Sequence, residues 1–229
     1  MTTDEIDGLD WSAIARQLDI EGYAVLPGRL RSEQPGDLIR QAETLPAVAL
    51  ACDESGRGEL FFFGTQLPTP LQGWRAAFYR HLAPIASLWN ERLGVVSCYP
   101  AELDEFLRCN QGAGQTRPLT HLNRLNQGDY LALHRRDQGE YVFPLQVVAL
   151  LNEPGKDFHG GEMVMTEQRP RMQSRPMVLP LAAGDVAIIT VQRPVKGSKS
   201  YYRVNLKHAI SRVRGGTRYG MELFFHDGP

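Results

Sequence analysis

The sequence has few cysteines, no long apolar run and almost no net charge. Only three cysteines occur among 229 residues, and Cys52, Cys98 and Cys109 show neither a CxxC motif nor the spacing of a Cys/His metal site. We therefore expect free thiols, mostly buried, in a reducing compartment. This scarcity argues against a disulfide framework.

The absence of long hydrophobic runs bears on location. No apolar stretch approaches the roughly 20 residues needed to cross a bilayer, and residues 1–5 lack the basic and apolar blocks of a signal peptide. We therefore expect a cytoplasmic protein without a membrane partner. A hydrophobic content of 42% over 229 residues is enough to bury a full core, so a single domain is predicted over residues 1–229.

The formal net charge is −1, which argues against a general polyanion binder. The charge is unevenly distributed, because residues 169–218 contain eleven Lys or Arg residues and a single acid, Asp185. This segment favours an anionic co-substrate and is compatible with a phosphate-bearing substrate. The alternative is a set of solvated strand faces whose acidic partners lie elsewhere. The chain lacks the pI above about 9 that is expected of a dedicated DNA-binding domain.

The first half of the chain has the apolar spacing of amphipathic helices. Residues 10–18, 36–45 and 69–93 place apolar side chains at every third or fourth position. A short strand is predicted at residues 22–28, where a Pro-Gly pair closes the run. The prediction for residues 1–117 is therefore a helical N-terminal part.

After Pro118 the pattern changes to short apolar runs separated by turns, as expected for a β-rich region. Seven strands are predicted, at residues 129–133, 142–151, 163–166, 177–181, 186–191, 201–206 and 219–225. The expected fold class is α+β. A double-stranded β-helix, or jelly roll, is predicted over residues 118–229, with the N-terminal helices packed on its outside.

Two histidines lie just after predicted strands of this region. His134 ends the segment 128–134, and His208 follows 74 residues later, ten residues before Arg218. Because alternate residues of a strand point the same way, a barrel can direct two histidines and a nearby acid to its interior. Two imidazoles and one carboxylate bind ferrous iron in oxygenases and leave positions for co-substrate and oxygen. Taken alone this pattern is weak, because a lone histidine is more often structural.

Long motifs around these histidines resemble those of a known family. They are the segments 139–155, 160–162, 166–174 and 202–208. From residue 22 to residue 227 the chain resembles a bacterial family of 2-oxoglutarate/Fe(II) oxygenases, described as predicted oxygenases acting on damaged, alkylated nucleic acid. The resemblance implies a non-haem dioxygenase with Fe(II) and 2-oxoglutarate as cofactors.

The resemblance also implies roles for individual residues. His134 matches the first metal ligand and His208 the distal one. Arg218 matches the arginine that binds the remote carboxylate of 2-oxoglutarate, a role suited to a planar bidentate donor. Tyr130 and Arg124, on or beside the strand that leads to His134, are further candidates for contacts with the co-substrate.

The third ligand departs from the family pattern. The family has His-x-Asp, but the position two residues after His134 is Arg136, and Asp137 follows one residue late. A guanidinium about 4 Å from a divalent cation is repelled by several kcal/mol even at an effective dielectric constant near 20. Arg136 therefore has to point away, or the metal site has changed. In the first case a one-residue bulge turns Asp137 inward, which gives the expected catalytic and metal-binding set His134, Asp137 and His208.

If the metal site has changed, two outcomes stay open. Iron can be bound by two histidines and 2-oxoglutarate, with water or halide beside them, as in halogenases of this superfamily, where a small residue replaces the acid. Alternatively, the barrel has lost iron chemistry and binds a ligand or partner without catalysis.

The expected reaction is hydroxylation of a C–H bond, coupled to oxidative decarboxylation of 2-oxoglutarate to succinate. The expected substrate is a small, anionic metabolite, a nucleotide or a modified nucleobase. Nucleic acid itself is less well supported, because aromatic residues do not interleave with the basic ones as stacking platforms.

Overall fold

Helices precede most of the strands in the computed structural model, which describes residues 1–31, 33–53 and 55–229. The helices are α1 (Thr3–Asp7), α2 (Trp11–Glu21), α3 (Gln34–Glu43), α4 (Thr69–Arg92) and α5 (Leu103–Gly112). The strands are β1 (Tyr23–Leu26), β2 (Val48–Asp53), β3 (Gly56–Phe62), β4 (His121–Asn126), β5 (Tyr130–His134), β6 (Leu145–Leu150), β7 (Phe158–Gly160), β8 (Met163–Gln168), β9 (Arg175–Leu179), β10 (Val186–Thr190), β11 (Gln192–Lys196), β12 (Tyr201–Ile210) and β13 (Val213–Leu223).

All three predicted helices and all eight predicted strands overlap observed elements. The N-terminal part is not purely helical, however, because β1, β2 and β3 lie within residues 1–117 and join the sheet. The predicted boundary at residue 118 therefore does not separate helices from strands. The sequence pattern misses the β2–β3 hairpin because residues 48–62 include two glycines and several charged residues, which obscure strand alternation.

The strands form two layers of antiparallel sheet, as expected for a jelly roll. One layer has the order β1-β10-β6-β13-β4-β3, and the other has the order β5-β12-β8-β9. Strand β3 pairs with both β4 and β5 and so joins the layers. Three further strands lie off this path: β11 pairs with β12, β2 with β3, and β7 with β13.

Side chains from the two faces of the first layer enter two separate hydrophobic clusters. On β6, Val147 and Ala149 pack in the cluster that contains the helices, whereas Val148 and Leu150 pack in the cluster between the layers. Alternation along the strand explains this division. Gln146 shares the interior face with Val148 and Leu150 and is also buried, so a polar group is present inside the barrel.

The helical cover is built mainly on α4. Its aromatic residues Trp74, Phe78 and Trp89 are buried in the hydrophobic cluster. None of the described helices is long and apolar enough to cross a membrane.

Two cysteines have described side chains, and both are free thiols. Cys98 is exposed and Cys109 is partly buried, so the expectation of buried thiols is wrong for Cys98. The side chain of Cys52 lies outside the described part of the structure.

Candidate metal centre

A β-bulge aligns His134 with His208 on neighbouring strands. In the β5–β12 pair, His208 lies opposite His134 and Ile210 lies opposite Leu131, so β5 has one more residue than β12 in this interval. A bulge alters the alternation of side chains, and Leu131 and His134 line the same cavity. The two imidazole centroids are 4.3 Å apart. The histidines are distant in sequence but lie on adjacent strands of the sheet.

Glu222 on β13 adds a carboxylate to this pair. Its Oε2 lies 3.2 Å from His208 Nε2, and ligand atoms of His134, His208 and Glu222 all lie within 4.8 Å of one another. His208 and Glu222 are 2% and 3% exposed. Two imidazoles and one carboxylate in a buried cluster form a donor set suited to Fe(II).

The sequence contains a signal for Glu222, although the family pattern directs attention to the residues after His134. Glu222 is the one acid in the apolar run 221–225. Glutamate is almost never fully buried unless it is paired. An acid at this position therefore indicates a buried partner of positive charge.

Asp137 is not brought to the histidines. Its Oδ2 lies 2.7 Å from Arg135 Nε, and it is outside the group formed by His134, His208 and Glu222. The bulge in β5 precedes His134, whereas a bulge that turns Asp137 inward would have to follow it. Strand β5 ends at His134, so strand alternation does not direct Asp137 to the interior. The expected role of Asp137 as third ligand is therefore not supported.

Arg136 stays inside the cavity that His134 lines. Burial lowers the pKa of the Arg136 guanidinium, while the Glu222 carboxylate raises it. Its Nε atom is buried and has no hydrogen-bond partner among the described residues. The structure therefore favours a changed metal site: the guanidinium remains in the cavity, and a carboxylate comes from another strand.

The protonation states of His134 and Glu222 suit metal binding. His134 Nδ1 lies 2.8 Å from the carbonyl oxygen of Ala132, so Nδ1 donates a proton and Nε2 keeps its lone pair. Burial, with a further contribution from His208, lowers the pKa of His134 to about 4, which keeps the imidazole neutral. Burial raises the pKa of Glu222, but His208 and then His121 outweigh it and hold that pKa well below its usual range.

Two further polar residues orient the Glu222 carboxylate. Gln146 Nε2 donates to Glu222 Oε2 over 3.1 Å, and His121 Nε2 lies 3.8 Å from Glu222 Oε1. His121 is itself fixed by its Nδ1, which lies 2.8 Å from the carbonyl oxygen of Leu119. Outer contacts of this kind hold a ligating carboxylate in position.

Arg218 lies on the same face of β13 as Glu222, four residues away. Its Nε donates to the carbonyl oxygen of Gly161 over 2.9 Å, and its Nη1 donates to Asn123 Oδ1 over 3.1 Å. Burial lowers the pKa of Arg218 to about 10, against the raising effect of Glu222. The group is therefore still cationic at neutral pH. Within the described part of the structure, both acceptors of this buried cation are neutral oxygens, and such a cation is a favourable site for an anion.

A small cavity connects these two charged residues. Arg218, Gly220 and Glu222 line it, and its volume of about 10 Å³ has room for about one water molecule. A Cβ atom at position 220 would lie 2.6 Å from Arg218 Nη1 and 2.8 Å from Asn123 Oδ1. The Arg218 guanidinium therefore extends along β13 to Gly220, towards Glu222. A dicarboxylate bound between a metal at Glu222 and this guanidinium would require the side chains around the cavity to move apart.

Arg124 does not point to this cavity. It binds two carboxylates outside the barrel, because its Nε lies 2.7 Å from Glu59 Oε2 and its Nη1 lies 3.1 Å from Glu43 Oε1. Alternation along β4 directs Asn123 inward and Arg124 outward. The expected contact of Arg124 with the co-substrate is therefore not supported.

Tyr130 is also placed away from the proposed co-substrate. Its ring stacks with Arg212, whose Cζ lies 5.2 Å from the ring centroid. Tyr130 precedes the bulge in β5, so it does not share the orientation of His134. A role in co-substrate binding is not supported for Tyr130.

Comparison with known proteins identifies a family model and sequence relatives. Residues 58–228 match the Oxygenase-NA model, described as "Oxygenase, catalysing oxidative methylation of damaged DNA". The chain is 38% identical over 172 residues to "Uncharacterized protein Rv2227" of Mycobacterium tuberculosis H37Rv, a match that covers 75% of this chain and 74% of that protein. "Uncharacterized protein MT2286" of strain CDC 1551 has the same identity and coverage.

Solved structures share the fold at low sequence identity. A prolyl-4-hydroxylase from Pseudomonas putida has a TM-score of 0.56 and 14% identity, covering 96% of this chain and 99% of that chain. An oxidoreductase of the 2OG-Fe(II) oxygenase family from Burkholderia pseudomallei has a TM-score of 0.55 and 15% identity, covering 96% and 93%. These likenesses confirm the predicted jelly roll.

Proposed function

The chain belongs to the Oxygenase-NA family and has the fold of 2-oxoglutarate/Fe(II) oxygenases, and we propose that it holds Fe(II) through His134, His208 and Glu222. Membership of an oxygenase family confirms the predicted enzyme class. The observation that carries the metal proposal is the convergence of three ligand atoms within 4.8 Å of one another.

Neighbouring groups of the chain hold His134 and Glu222 in the states that bind a metal ion. His134 is a neutral imidazole with Nε2 available, and Glu222 is an ionised carboxylate held by Gln146. Three protein ligands leave open positions on an octahedral ion for co-substrate and oxygen. When bound, Fe(II) and 2-oxoglutarate supply the oxidising power for C–H hydroxylation.

Arg218 is proposed to bind the remote carboxylate of 2-oxoglutarate. Its guanidinium is buried and keeps donor capacity beyond its bonds to Gly161 and Asn123. Gly220, which has no Cβ, allows the Arg218 guanidinium and the Asn123 amide to pack against the β13 backbone. The apolar walls of the cavity, which include Val148 and Met163, exclude water from the reacting region and strengthen this ion pair.

Two alternatives, a halogenase-type site and a non-catalytic barrel, are less favoured. Both depend on the absence of a carboxylate ligand beside the histidines. Glu222 supplies a buried carboxylate within 3.2 Å of His208. A complete donor set favours hydroxylation over either of these outcomes.

The proposed substrate is a small, anionic metabolite, a nucleotide or a modified nucleobase. The family description names damaged DNA, so nucleic acid is a second candidate partner. An open cavity beside His134 contains Arg117, Arg135 and Arg136, and this favours a substrate of negative charge. We propose the cytoplasm as its location, where reducing conditions would keep Cys98 and Cys109 as free thiols.

Metal reconstitution tests this proposal. We expect the metal-free protein to bind one Fe(II) per chain under anaerobic conditions and, with oxygen added, to release succinate from 2-oxoglutarate slowly without substrate. Chelation of the metal should stop this release, and chloride should not alter it. If no stoichiometric metal binds, or no succinate forms in any condition, the proposed function is contradicted.

Gly220→Ala is expected to weaken 2-oxoglutarate binding about tenfold, because the added methyl displaces Arg218 Nη1 and narrows the cavity. Fe(II) affinity should change little, since Gly220 is not a metal ligand. Titration of the metal-loaded protein with 2-oxoglutarate measures the effect. Gly112→Ala is the matched control, because a Cβ there meets nothing within 4 Å. Equal affinities in the two variants would refute the cavity assignment.

A further inference from the structure

We infer that Arg136, with Arg117 beside it, binds a carboxylate or phosphate group of the substrate at the entrance to the candidate metal centre. This inference rests on the proposed function and assigns the chemical class of its substrate. It gives a role to the residue that departs from the family pattern.

The cavity that Arg136 lines is strongly basic. Three arginines, Arg117, Arg135 and Arg136, line it together with His121 and His134, and none of its described lining residues is acidic. Since an arginine fork matches the geometry of carboxylate and phosphate oxygens, such a wall favours an oxyanion over a neutral ligand.

Not all three cations are equally available. Arg135 is neutralised by Asp137, whose Oδ2 lies 2.7 Å from Arg135 Nε. Arg117 Nε donates to the main-chain oxygen of Pro229 over 3.2 Å. Arg136 has an Nε without a hydrogen-bond partner among the described residues. Arg136 is therefore the main cation that an incoming anion would meet, and Arg117 lines the same cavity.

The position of Arg136 relative to Arg218 separates substrate from co-substrate. Arg218 lines the interior cavity with Glu222, whereas Arg136 lines the open cavity with His134. The described linings of these two cavities share no residue. A ligand held by Arg136 therefore approaches the metal ligands from the open side, where a substrate would enter.

The electrostatics of the cavity also favour this assignment. Arg136 and Arg117 line the same cavity, and like charges repel each other in a site of reduced dielectric constant. A substrate oxyanion between them would relieve this repulsion, whereas a neutral substrate would leave it uncompensated.

Calorimetric titration of the whole chain tests the inference without turnover. The protein is loaded with Zn(II), which is redox-inert, and with saturating 2-oxoglutarate. It is then titrated separately with inorganic phosphate, adenosine 5′-monophosphate, acetate and a short single-stranded oligonucleotide. We expect at least one of these anions to bind one per chain, and Arg136→Gln to weaken that binding at least tenfold. Arg136→Lys should retain part of the affinity because it keeps the charge.

The arms of the titration distinguish the sources of the oxyanion. Preference for phosphate or the nucleotide identifies a phosphate group, preference for acetate identifies a carboxylate, and binding by the oligonucleotide alone identifies nucleic acid. Arg203→Gln is the matched control, because Arg203 is exposed on β12 and should leave binding unchanged. Arg117→Gln should give a smaller loss than Arg136→Gln and provides a second variant if the latter folds poorly.

Three results would overturn the inference: no probe binds, Arg136→Gln binds as the wild type does, or Arg203→Gln loses as much affinity as Arg136→Gln. The 2-oxoglutarate affinity of Arg136→Gln should stay within about threefold of wild type, and a larger loss would reassign Arg136 to the co-substrate. If Fe(II) binding and succinate release persist in these cases, the proposed function stands and only the substrate assignment fails.

Discussion

Glu222→Gln is expected to lower Fe(II) affinity roughly 100-fold or more and to abolish succinate release. Glutamine preserves the shape of the side chain but removes the negative charge that faces His208 and the metal position. Loss of an outer contact to a metal ligand already costs about 10–100-fold, so loss of a ligand should lie at or beyond that range. Anaerobic Fe(II) titration and succinate assays measure the two effects.

Asp137→Asn is the matched control for that substitution. It also exchanges a carboxylate for its amide, but Asp137 is paired with Arg135 and lies outside the metal cluster. Its Fe(II) affinity should match that of the wild type. If Asp137→Asn loses metal while Glu222→Gln retains it, the bulge that turns Asp137 inward is present in solution and the assignment of Glu222 is wrong.

A carboxylate at position 136 provides a further test of the ligand exchange. In the Glu222→Gln background, Arg136→Asp restores the His-x-Asp pattern and removes a cation from the site. We expect part of the Fe(II) affinity to return. A protein that retains Glu222 should bind Fe(II) without the Arg136→Asp substitution, because Glu222 already provides a carboxylate.

Arg218→Gln is expected to raise the dissociation constant of 2-oxoglutarate by about 10–150-fold, which corresponds to the roughly 1.5–3 kcal/mol of a hydrogen bond to a charged group. The buried guanidinium has no carboxylate partner among its described hydrogen bonds, so it can donate to a carboxylate of the ligand. Fe(II) affinity should change far less. Titration of the metal-loaded protein with 2-oxoglutarate gives the value.

Arg203→Gln serves as the control for this loss of charge. It removes an arginine from the same basic segment, but on the exposed face of β12, and should leave 2-oxoglutarate binding unchanged. If both variants bind 2-oxoglutarate as the wild type does, the interior cavity is not the co-substrate site and Arg218 is structural.

Much of the architecture could be predicted from local patterns. The 3.6-residue apolar period placed α2, α3 and α4, and short apolar runs placed seven of the strands after residue 118, because each pattern reflects burial of one face of a local element. The hairpin β2–β3, the strands β4, β7 and β11 and the helices α1 and α5 were not predicted. The inward residues of β4 include His121 and Asn123, so a polar interior removed the apolar alternation on which strand prediction depends.

The candidate site was only partly predictable for a related reason. His134, His208 and Arg218 could be proposed from motifs within a few residues of each. The apolar run 221–225 marks Glu222 as a buried acid, but it does not pair Glu222 with His134. That relation arises from strand order, because β13 and β5 are brought together only when the two layers of the sheet form around one interior.

The sequence by itself determined the class of protein, the strand that carries each histidine and the conflict at Arg136, since all of these are properties of contiguous residues. Only the tertiary structure decided how the conflict is resolved. A bulge before His134, the inward alternation of Glu222 on β13 and the ion pair of Asp137 with Arg135 together select the carboxylate. The carboxylate that joins the two histidines is the one whose side chain faces the same interior. Strand register across the sheet decides which side chains do so.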